Sequence, residues 1–129
     1  MIKYRAWDKE DKEWLSIRTI GFYDDGELWY LQAWDENEND IDPPYFSDDL
    51  GVKWELSQST GLKDVHEVEF FDKDIARDID SEELGLVEYV NGAFIMKFVG
   101  GDGADLYDVK DNFEIIGNQF EHSNLLEER

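Results

Sequence analysis

One segment of the chain has the residue types of a metal site, between Asp35 and Phe46. Asp35, Asn37 and Asn39 match the first, third and fifth positions of a calcium-binding loop, which holds that cation with oxygen ligands. Asp40 stands where the loop needs a glycine for its sharp turn, and Phe46 stands where it needs a bidentate glutamate. We therefore predict a solvated acidic loop and assign no metal site.

Catalytic chemistry has few candidate residues in this chain. There is no cysteine, and the two histidines, His66 and His122, lie in separate segments without ligand-type spacing. Neither the G-x-S-x-G nucleophile motif nor a glycine-rich phosphate-binding motif occurs. With 33 acidic residues, a chance pair of carboxylates carries no information. We expect no enzymatic activity and no cofactor; the catalytic alternative is a metal-assisted hydrolase built on an acid cluster.

The charge of the chain restricts its partners. Among 129 residues, 33 acids oppose 12 lysines and arginines, which gives a net charge of -21. Proteins bind nucleic acids and anionic membranes mainly through Lys and Arg, so we expect no direct binding to either. The charge is concentrated in residues 21–50, which contain ten acids and no base. Crowded carboxylates repel one another, so we expect some raised pKa values and greater stability at lower pH and higher salt.

The sequence also restricts the cellular location. No apolar stretch approaches the roughly 20 residues needed to span a bilayer. The first residues are polar and charged, unlike a signal peptide, and the absence of cysteine fits a reducing compartment. We therefore expect a soluble cytoplasmic protein.

All five tryptophans, together with Tyr30, lie in the first 54 residues, in the same half of the chain as the acidic block. Packing in a core is the first interpretation of these rings, and a protein-binding surface is the second, since Trp and Tyr dominate interface energetics. We predict a protein partner, or self-association into a homo-oligomer, through a surface of acids and tryptophans. Its candidate residues are Asp35, Glu36, Glu38, Asp40, Asp42, Asp48, Asp49, Trp29 and Trp34.

The spacing of apolar residues is mostly that of strands. Asn91-Gly92 separates two apolar-rich runs and suits the positive φ angles of a type I′ turn, which predicts a hairpin. Phe71, Ile75 and Ile79 recur every four residues and favour a helix over 72–80. The predicted strands are 2–7, 14–19, 28–34, 52–57, 86–90, 93–99 and 113–120, with a second helix over Ser123–Glu128 and turns over Asp24–Gly26 and Gly100–Asp105.

These elements predict a mainly β fold, of the β-dominated α+β kind, with one or two short helices. We expect a single domain over 1–129, either undivided or made of two packed lobes. The lobes would be 1–62, with an acidic loop over 35–49, and 63–129.

Several separate motifs together resemble the YopX family of prophage and bacteriophage proteins. The family pattern reads like KFRAWD, then QYTGLKDKNGKEIYEGDIV, then a hairpin like VVEYHNGAF, then EVIGNIYENPELL. The matching segments of this chain, in the same order, are IKYRAWD, QSTGLKD (Gln58 to Asp64), Asp74-Ile75, LVEYVNGAF, LYDV (Leu106 to Val109), FEIIGNQFE (Phe113 to Glu121) and NLLEE.

The chain departs from the family pattern at two glycines. Val65-His66-Glu67 replaces a turn like KNG, and Lys73 replaces the glycine before Asp-Ile. Glycine gives easy access to positive φ, so its loss favours the helical interpretation of 72–80 over a tight turn.

The resemblance implies an SH3-like small β-barrel in the C-terminal half, a phage or prophage origin and no established activity. The function that we predict is an acidic binding or assembly module that contacts a host or phage protein in the bacterial cytoplasm. One alternative is a nucleic-acid mimic, in which a ridge of the same acids, with Glu27, blocks a host DNA-binding protein.

Overall fold

The computed structural model describes residues 3–34, 44–122 and 124–127. Strands account for 56% and helices for 15% of the structure, which confirms the mainly β fold class. The described chain forms two compact units. We call Tyr4–Ser57 the N-terminal unit, and Lys3 together with the residues from Gln58 onwards the C-terminal unit. The boundary lies at Ser57, before the lobe boundary predicted at residue 62.

The N-terminal unit is built from short antiparallel strands around a buried tryptophan. Its elements are β1 (Tyr4–Asp8), β2 (Glu13–Leu15), β3 (Ile17–Phe22), β4 (Leu28–Ala33), β5 (Tyr45–Phe46), a 3-10 helix (Ser47–Asp49) and the start of β6 (Trp54–Lys63). Strand β4 lies between β3 and β5, and β1 pairs with β2. Ala6, Leu31, Ala33 and Trp54 are fully buried and form the core of this unit.

The strands predicted in this unit are confirmed with changed bounds. The predicted strand 14–19 is two strands, because Ser16 separates β2 from β3 and accepts the N–H of Trp34 at 2.9 Å. The strand predicted over 52–57 begins at Trp54 instead. Before it the chain makes a turn, in which Lys53 N–H bonds to Asp49 O at 2.8 Å and Val52 is 71% exposed.

The C-terminal unit contains a five-stranded antiparallel sheet. Its elements after β6 are β7 (Glu69–Phe71), β8 (Asp74–Asp78), β9 (Leu84–Val90), β10 (Ala93–Phe98), β11 (Gly103–Asp105), α1 (Leu106–Val109), a 3-10 helix (Lys110–Asn112), β12 (Phe113–Asn118), α2 (Gln119–His122) and α3 (Asn124–Glu127). The strand order is β11-β10-β9-β8-β12, and β7 pairs with β6. Phe70, Ala76, Val87, Met96, Leu106 and Phe113 form its core. The SH3-like classification of this unit stays a prediction.

The Asn91-Gly92 hairpin is confirmed. Strands β9 and β10 pair from Val90 opposite Ala93 outwards, and the two turn residues have φ angles of 51° and 86°. Both angles are positive, as a type I′ turn requires. A local two-residue signal was therefore sufficient to place this part of the sheet.

The helix predicted over 72–80 is wrong. Residues 74–78 form β8, in the interior of the sheet between β9 and β12, with Ile75 and Ala76 fully buried. A spacing of four residues fits one face of a helix, but it is also an even number and so keeps one face of a strand. Two other predicted elements have wrong bounds. The last three residues of the turn predicted over Gly100–Asp105 form β11, and the strand predicted over 113–120 ends at Asn118.

Each helix in the described residues has only three or four residues. Of the C-terminal helix predicted over Ser123–Glu128, Asn124–Glu127 is confirmed as α3, and its capping residue Ser123 lies outside the described residues. In the ranges that the structure describes, no helix has the length and apolar character to cross a membrane.

Both family glycines are replaced by residues that keep the glycine conformation. Glu67 has φ of 66° and Lys73 has φ of 74°. The backbone of Lys73 is held on both sides, since its N–H donates to Val87 O (2.7 Å) and its carbonyl accepts the N–H of Gln119 (2.9 Å). The expected loss of this turn is therefore wrong: the turn persists at the cost of an unfavourable backbone conformation.

We expect Lys73→Gly and Glu67→Gly each to stabilise the protein by about 0.5–1 kcal/mol. A left-handed conformation costs a residue with a Cβ roughly 1–2 kcal/mol, and part of the gain is offset by the greater freedom of glycine in the unfolded chain. Urea unfolding measures the change. Asp80→Gly is the matched control, because Asp80 is an exposed turn residue without positive φ, and it should lose stability. Destabilisation by both glycine variants would contradict this account.

Candidate functional site

The aspartate of the TGLKD motif is buried and bonded to backbone amides. Asp64 is 3% exposed. Its Oδ1 accepts the N–H groups of His66 (2.8 Å) and Val68 (2.9 Å), and its Oδ2 accepts that of Ile115 (2.9 Å). The carboxylate closes the turn after β6 and attaches this turn to β12. Asp64 therefore has a structural role.

Two further motif side chains have the same role. Asp8, at the end of β1, accepts the backbone N–H groups two and three residues further on and the hydroxyl of Tyr45 at 2.7 Å. Burial opposes its ionised form, but these three hydrogen bonds outweigh burial and hold the pKa of Asp8 below its usual value. Asn118 bonds to Glu121 through both side-chain atoms, which connects β12 to α2. The motifs that carry the resemblance thus mark turns of the fold.

The two histidines make separate local contacts. His66 Nε2 lies 3.2 Å from Glu114 Oε1, and Arg77 donates two hydrogen bonds to the other oxygen of this carboxylate, at 3.0 and 2.7 Å. The pKa of Glu114 lies below its usual value, mainly because of the hydrogen bonds from Arg77 and next because of the one with His66. His122 Nδ1 instead accepts the N–H of Asn118 at 3.1 Å. Among the described residues, no three histidine, aspartate or glutamate side chains are grouped to hold a metal ion.

A polar cleft of about 390 Å³ lies in the C-terminal unit. Lys3 Nζ donates to Glu69 Oε1 at 3.0 Å, and the hydroxyl of Ser59 donates to the other oxygen of Glu69. The pKa of Glu69 lies below its usual value, mainly because of the hydrogen bond from Ser59 and next because of the one from Lys3. Two of the charged groups that line this cleft, Lys3 and Glu69, therefore bind each other.

One carboxyl has a raised pKa, that of Asp72 in the turn between β7 and β8, and charge repulsion is not its main cause. Burial is the main cause that raises the pKa of Asp72; Lys73 opposes the increase and Glu88 adds to it. At Asp8 and Glu114, by contrast, hydrogen bonds and a cation lower the pKa. Negative charge thus raises or lowers stability according to the local partners of each carboxylate.

We expect Asp72→Asn to gain stability over the wild type at neutral pH, and this gain to shrink as the pH falls. A pKa raised in the folded state means that folded Asp72 binds its proton more readily, so its ionisation weakens the fold and acidification relieves the wild type. Urea unfolding between neutral pH and roughly pH 4, near the unperturbed pKa of Asp, measures the difference. Asp80→Asn removes one charge at an exposed turn position as a control. A gain that increases on acidification would contradict the assignment.

Aromatic side chains are exposed on the three-stranded sheet of the N-terminal unit. Tyr23 and Trp29 stack with ring centroids 5.3 Å apart and an interplanar angle of 18°, and Tyr30 meets Trp29 edge to face at 5.2 Å. Tyr30 of β4 lies opposite Phe46 of β5, so these two side chains share a face of the sheet. Tyr23, Trp29 and Phe46 are 51%, 45% and 46% exposed. We call Tyr23, Trp29, Tyr30 and Phe46 the aromatic surface.

A glycine gives the central ring of this surface its place. Gly21 of β3 lies opposite Tyr30 in the β3–β4 register. A Cβ at Gly21 would lie 2.0 Å from a ring carbon of Tyr30. The Tyr30 ring therefore lies directly across β3, in space that only a glycine leaves open.

Acidic residues border the aromatic surface along the chain. Asp24, Asp25 and Glu27 are exposed in the β3–β4 turn, between Tyr23 and Trp29. The N–H of Glu27 donates to Asp25 Oδ1 at 2.9 Å, and the turn glycine, Gly26, has φ of 92°. Asp48 and Asp49 lie in the 3-10 helix directly after β5. Acidic residues therefore come directly after Tyr23 and shortly after Phe46 along the chain.

The residues predicted to form one interaction surface do not all lie together in the described structure. Trp29 lies in the aromatic surface, and Asp48 and Asp49 follow it along the chain. Trp34 is half-buried, with the guanidinium of Arg18 at 5.3 Å from its ring centroid. Asp35, Glu36, Glu38, Asp40 and Asp42 lie outside the described residues. Sequence reasoning missed Tyr23 and Phe46, and it considered Tyr30 with the tryptophans without naming it as an interface residue. The turn signal at Asp24–Gly26 pointed to the hairpin, but only the register brings these rings together.

Comparisons with known proteins agree with the motifs. A family model described as YopX protein matches residues 3–127. Protein EF1440 from Enterococcus faecalis has a similar structure, with 25% sequence identity, a TM-score of 0.68 and 98% of each chain covered. Protein yopX from Bacillus subtilis shares the fold at 18% identity, with a TM-score of 0.65 and 95% of each chain covered. A search of curated proteins found no match. Because the family match spans nearly the whole chain, this protein belongs to the YopX family.

Proposed function

We propose that the protein is a non-catalytic binding module, encoded by a phage or prophage and active in the bacterial cytoplasm, that binds a protein partner through the aromatic surface. The observation that carries the proposal is the exposed stack of Tyr23 on Trp29. Rings that are already packed against each other lose little side-chain freedom when a partner covers them. The surface is thus pre-organised for contact.

The exposed area of these rings is large enough to matter for affinity. A Trp or Tyr side chain buries roughly 150–250 Å² when fully covered. Covering the exposed half of one ring therefore contributes about 2 kcal/mol, at roughly 25 cal/mol per Å². That is the size of a typical hot-spot residue at an interface. Trp29 and Tyr23 together would supply a central anchor for binding.

A second observation supports binding over catalysis, and a third supports a phage setting. The polar side chains of the family motifs, Asp8, Asp64 and Asn118, use their hydrogen-bonding capacity on turns of the fold. The resemblance of the motifs to prophage and bacteriophage proteins supports the origin, and the two similar structures come from bacteria.

There are two alternatives to a separate protein partner, and each has its own test. Self-association is disfavoured by the net charge of -21, since two copies repel each other. Sedimentation that shows a stable dimer would therefore replace a separate partner with a second copy. The nucleic-acid mimic depends mainly on acids between residues 35 and 42, outside the described residues, and stays a sequence-based alternative. Partner release by added DNA would favour it.

The proposal is tested by comparing capture from bacterial lysate by the wild type and by surface variants. The double variant Tyr23→Ser with Trp29→Ser should lose a specific partner about tenfold or more, as expected when a central aromatic hot spot is removed. Tyr89→Ser is the matched control, since Tyr89 is 55% exposed in the C-terminal unit. Circular dichroism confirms that each variant is folded. Equal capture by the wild type and the double variant would overturn the proposed function.

A further inference from the structure

Within the N-terminal unit, arginine side chains already lie over two tryptophan rings. The guanidinium carbon of Arg5 lies 4.5 Å from the ring centroid of Trp14, and that of Arg18 lies 5.3 Å from Trp34. Both distances are within the roughly 6 Å of a cation–π contact. The same unit therefore uses guanidinium groups to cover two of its indole rings.

Trp29 differs from these two tryptophans in what surrounds it. It is 45% exposed and contacts Tyr23 and Tyr30, and in the described part of the chain no cation lies over its ring. The acids nearest to it along the hairpin are Asp24, Asp25 and Glu27, and no ion pair within the described part of the chain involves them. An aromatic face next to unneutralised carboxylates attracts a cation by both ring quadrupole and charge.

We infer that the Tyr23–Trp29 stack, with the carboxylates of the β3–β4 turn, binds an arginine side chain from a basic segment of the partner. This inference rests on the proposed function and specifies the chemistry of the partner. A guanidinium is planar and weakly hydrated, so it stacks on a ring while its N–H groups donate to carboxylates beside it. A lysine ammonium is a compact, strongly hydrated charge and cannot make both contacts equally well. The site therefore selects arginine over lysine.

Asp25 is distinct from the other two acids of the turn. Its Oδ1 accepts the N–H of Glu27 at 2.9 Å, which holds the turn. Asp24 and Glu27 are exposed side chains without this structural bond, so they are the acids to neutralise in a test. Asp102 and Asp108, both exposed in the C-terminal unit, provide a control that removes the same charge elsewhere.

The test titrates full-length protein with three short peptides that differ in one feature: an arginine-containing basic peptide, its lysine counterpart and its citrulline counterpart. Two-dimensional NMR follows the indole N–H of Trp29, assigned with Trp29→Leu. The arginine peptide should shift this signal and bind about five- to tenfold more tightly than the lysine peptide, in line with the energy of a cation–π contact. The citrulline peptide, which has no charge, should bind more weakly still.

The variants separate ring stacking from general attraction. Asp24→Asn with Glu27→Gln should weaken the arginine peptide several-fold and reduce its salt dependence, and Trp29→Leu should remove its preference over lysine. Asp102→Asn with Asp108→Asn should leave the preference unchanged. Equal affinity for the arginine and lysine peptides would overturn the inference, as would no binding of either peptide.

Failure of the inference is distinguishable from failure of the proposed function. The protein can show no preference for the arginine peptide while capture from lysate still depends on Tyr23 and Trp29. In that case the binding module stands and its partner has another chemistry. If capture is also independent of these rings, both proposals fail. Thermal unfolding of every variant shows that lost binding is not lost folding.

Discussion

Asp64→Ala should lower the free energy of unfolding by about 3–5 kcal/mol, because three backbone N–H groups lose their acceptor at once. A domain of this size is typically stable by only about 5–15 kcal/mol, so the variant should lose a large fraction of its stability. The bonds involved join the turn at His66 and Val68 to β12 at Ile115. Loss of the carboxylate therefore affects local turn structure and strand attachment together.

A graded series makes this prediction specific. Asp64→Asn keeps one acceptor oxygen but places an NH₂ group against an amide that also donates, so its loss should be intermediate. Asp80→Ala, at an exposed turn position, should change stability by no more than roughly 0.5 kcal/mol. Urea unfolding measured by circular dichroism gives all three values. If Asp64→Ala loses less than the exposed control, the structural role of the motif aspartate is wrong.

The part of the fold that could be predicted from the sequence is the part specified by neighbouring residues. Asn91-Gly92 determines a hairpin because two adjacent residues supply both positive φ angles. Strand β1 is predicted for a similar reason, since the recurrence of Ile2, Tyr4 and Ala6 at every second residue is a local property. The family motifs were recognised because several of them occur in order along the chain.

The helix error over 72–80 has a different cause. The spacing of Phe71, Ile75 and Ile79 fits both a helix and a strand, and the decision depends on β9 and β12, which come later in the chain. Lys73 added to the error, because its type argues against positive φ and its two backbone hydrogen bonds impose it. Tertiary contacts outweighed the local preference at this position.

The candidate site shows the same division between local and long-range information. Composition alone indicated Trp29 as an interface residue. Grouping it with Tyr30 and Phe46 requires the register of β4 with β5, and the stacking of Tyr23 requires the path of the β3–β4 turn. Among 33 acids, the sequence also could not distinguish the buried structural Asp64 from acids at the surface.

Trp54→Ala should cost about 3–5 kcal/mol, comparable to Asp64→Ala, because it removes the largest side chain of the N-terminal core. Trp54 is fully buried and contacts Tyr45 edge to face at 6.0 Å. Its indole N–H donates to the carbonyl of Phe46 at 2.9 Å. Thermal and urea unfolding should both show the loss, with the wild-type transition as reference. A loss below roughly 1 kcal/mol would mean that the core around Trp54 relaxes to fill the space.

Trp54→Phe separates the stability of this core from the function of the aromatic surface. The phenyl ring keeps most of the apolar packing but cannot donate to Phe46, which leaves that carbonyl without its buried donor and should cost about 1–3 kcal/mol. Because β5 has only two residues, the loss of this bond frees Phe46 more than the rest of the unit. The variant should remain folded and yet capture the partner less well than Tyr89→Ser does. If capture is unaffected while Phe46→Ala reduces it, then Phe46 is held in place by β4 pairing alone; if neither variant reduces capture, the binding surface is confined to Tyr23, Trp29 and Tyr30.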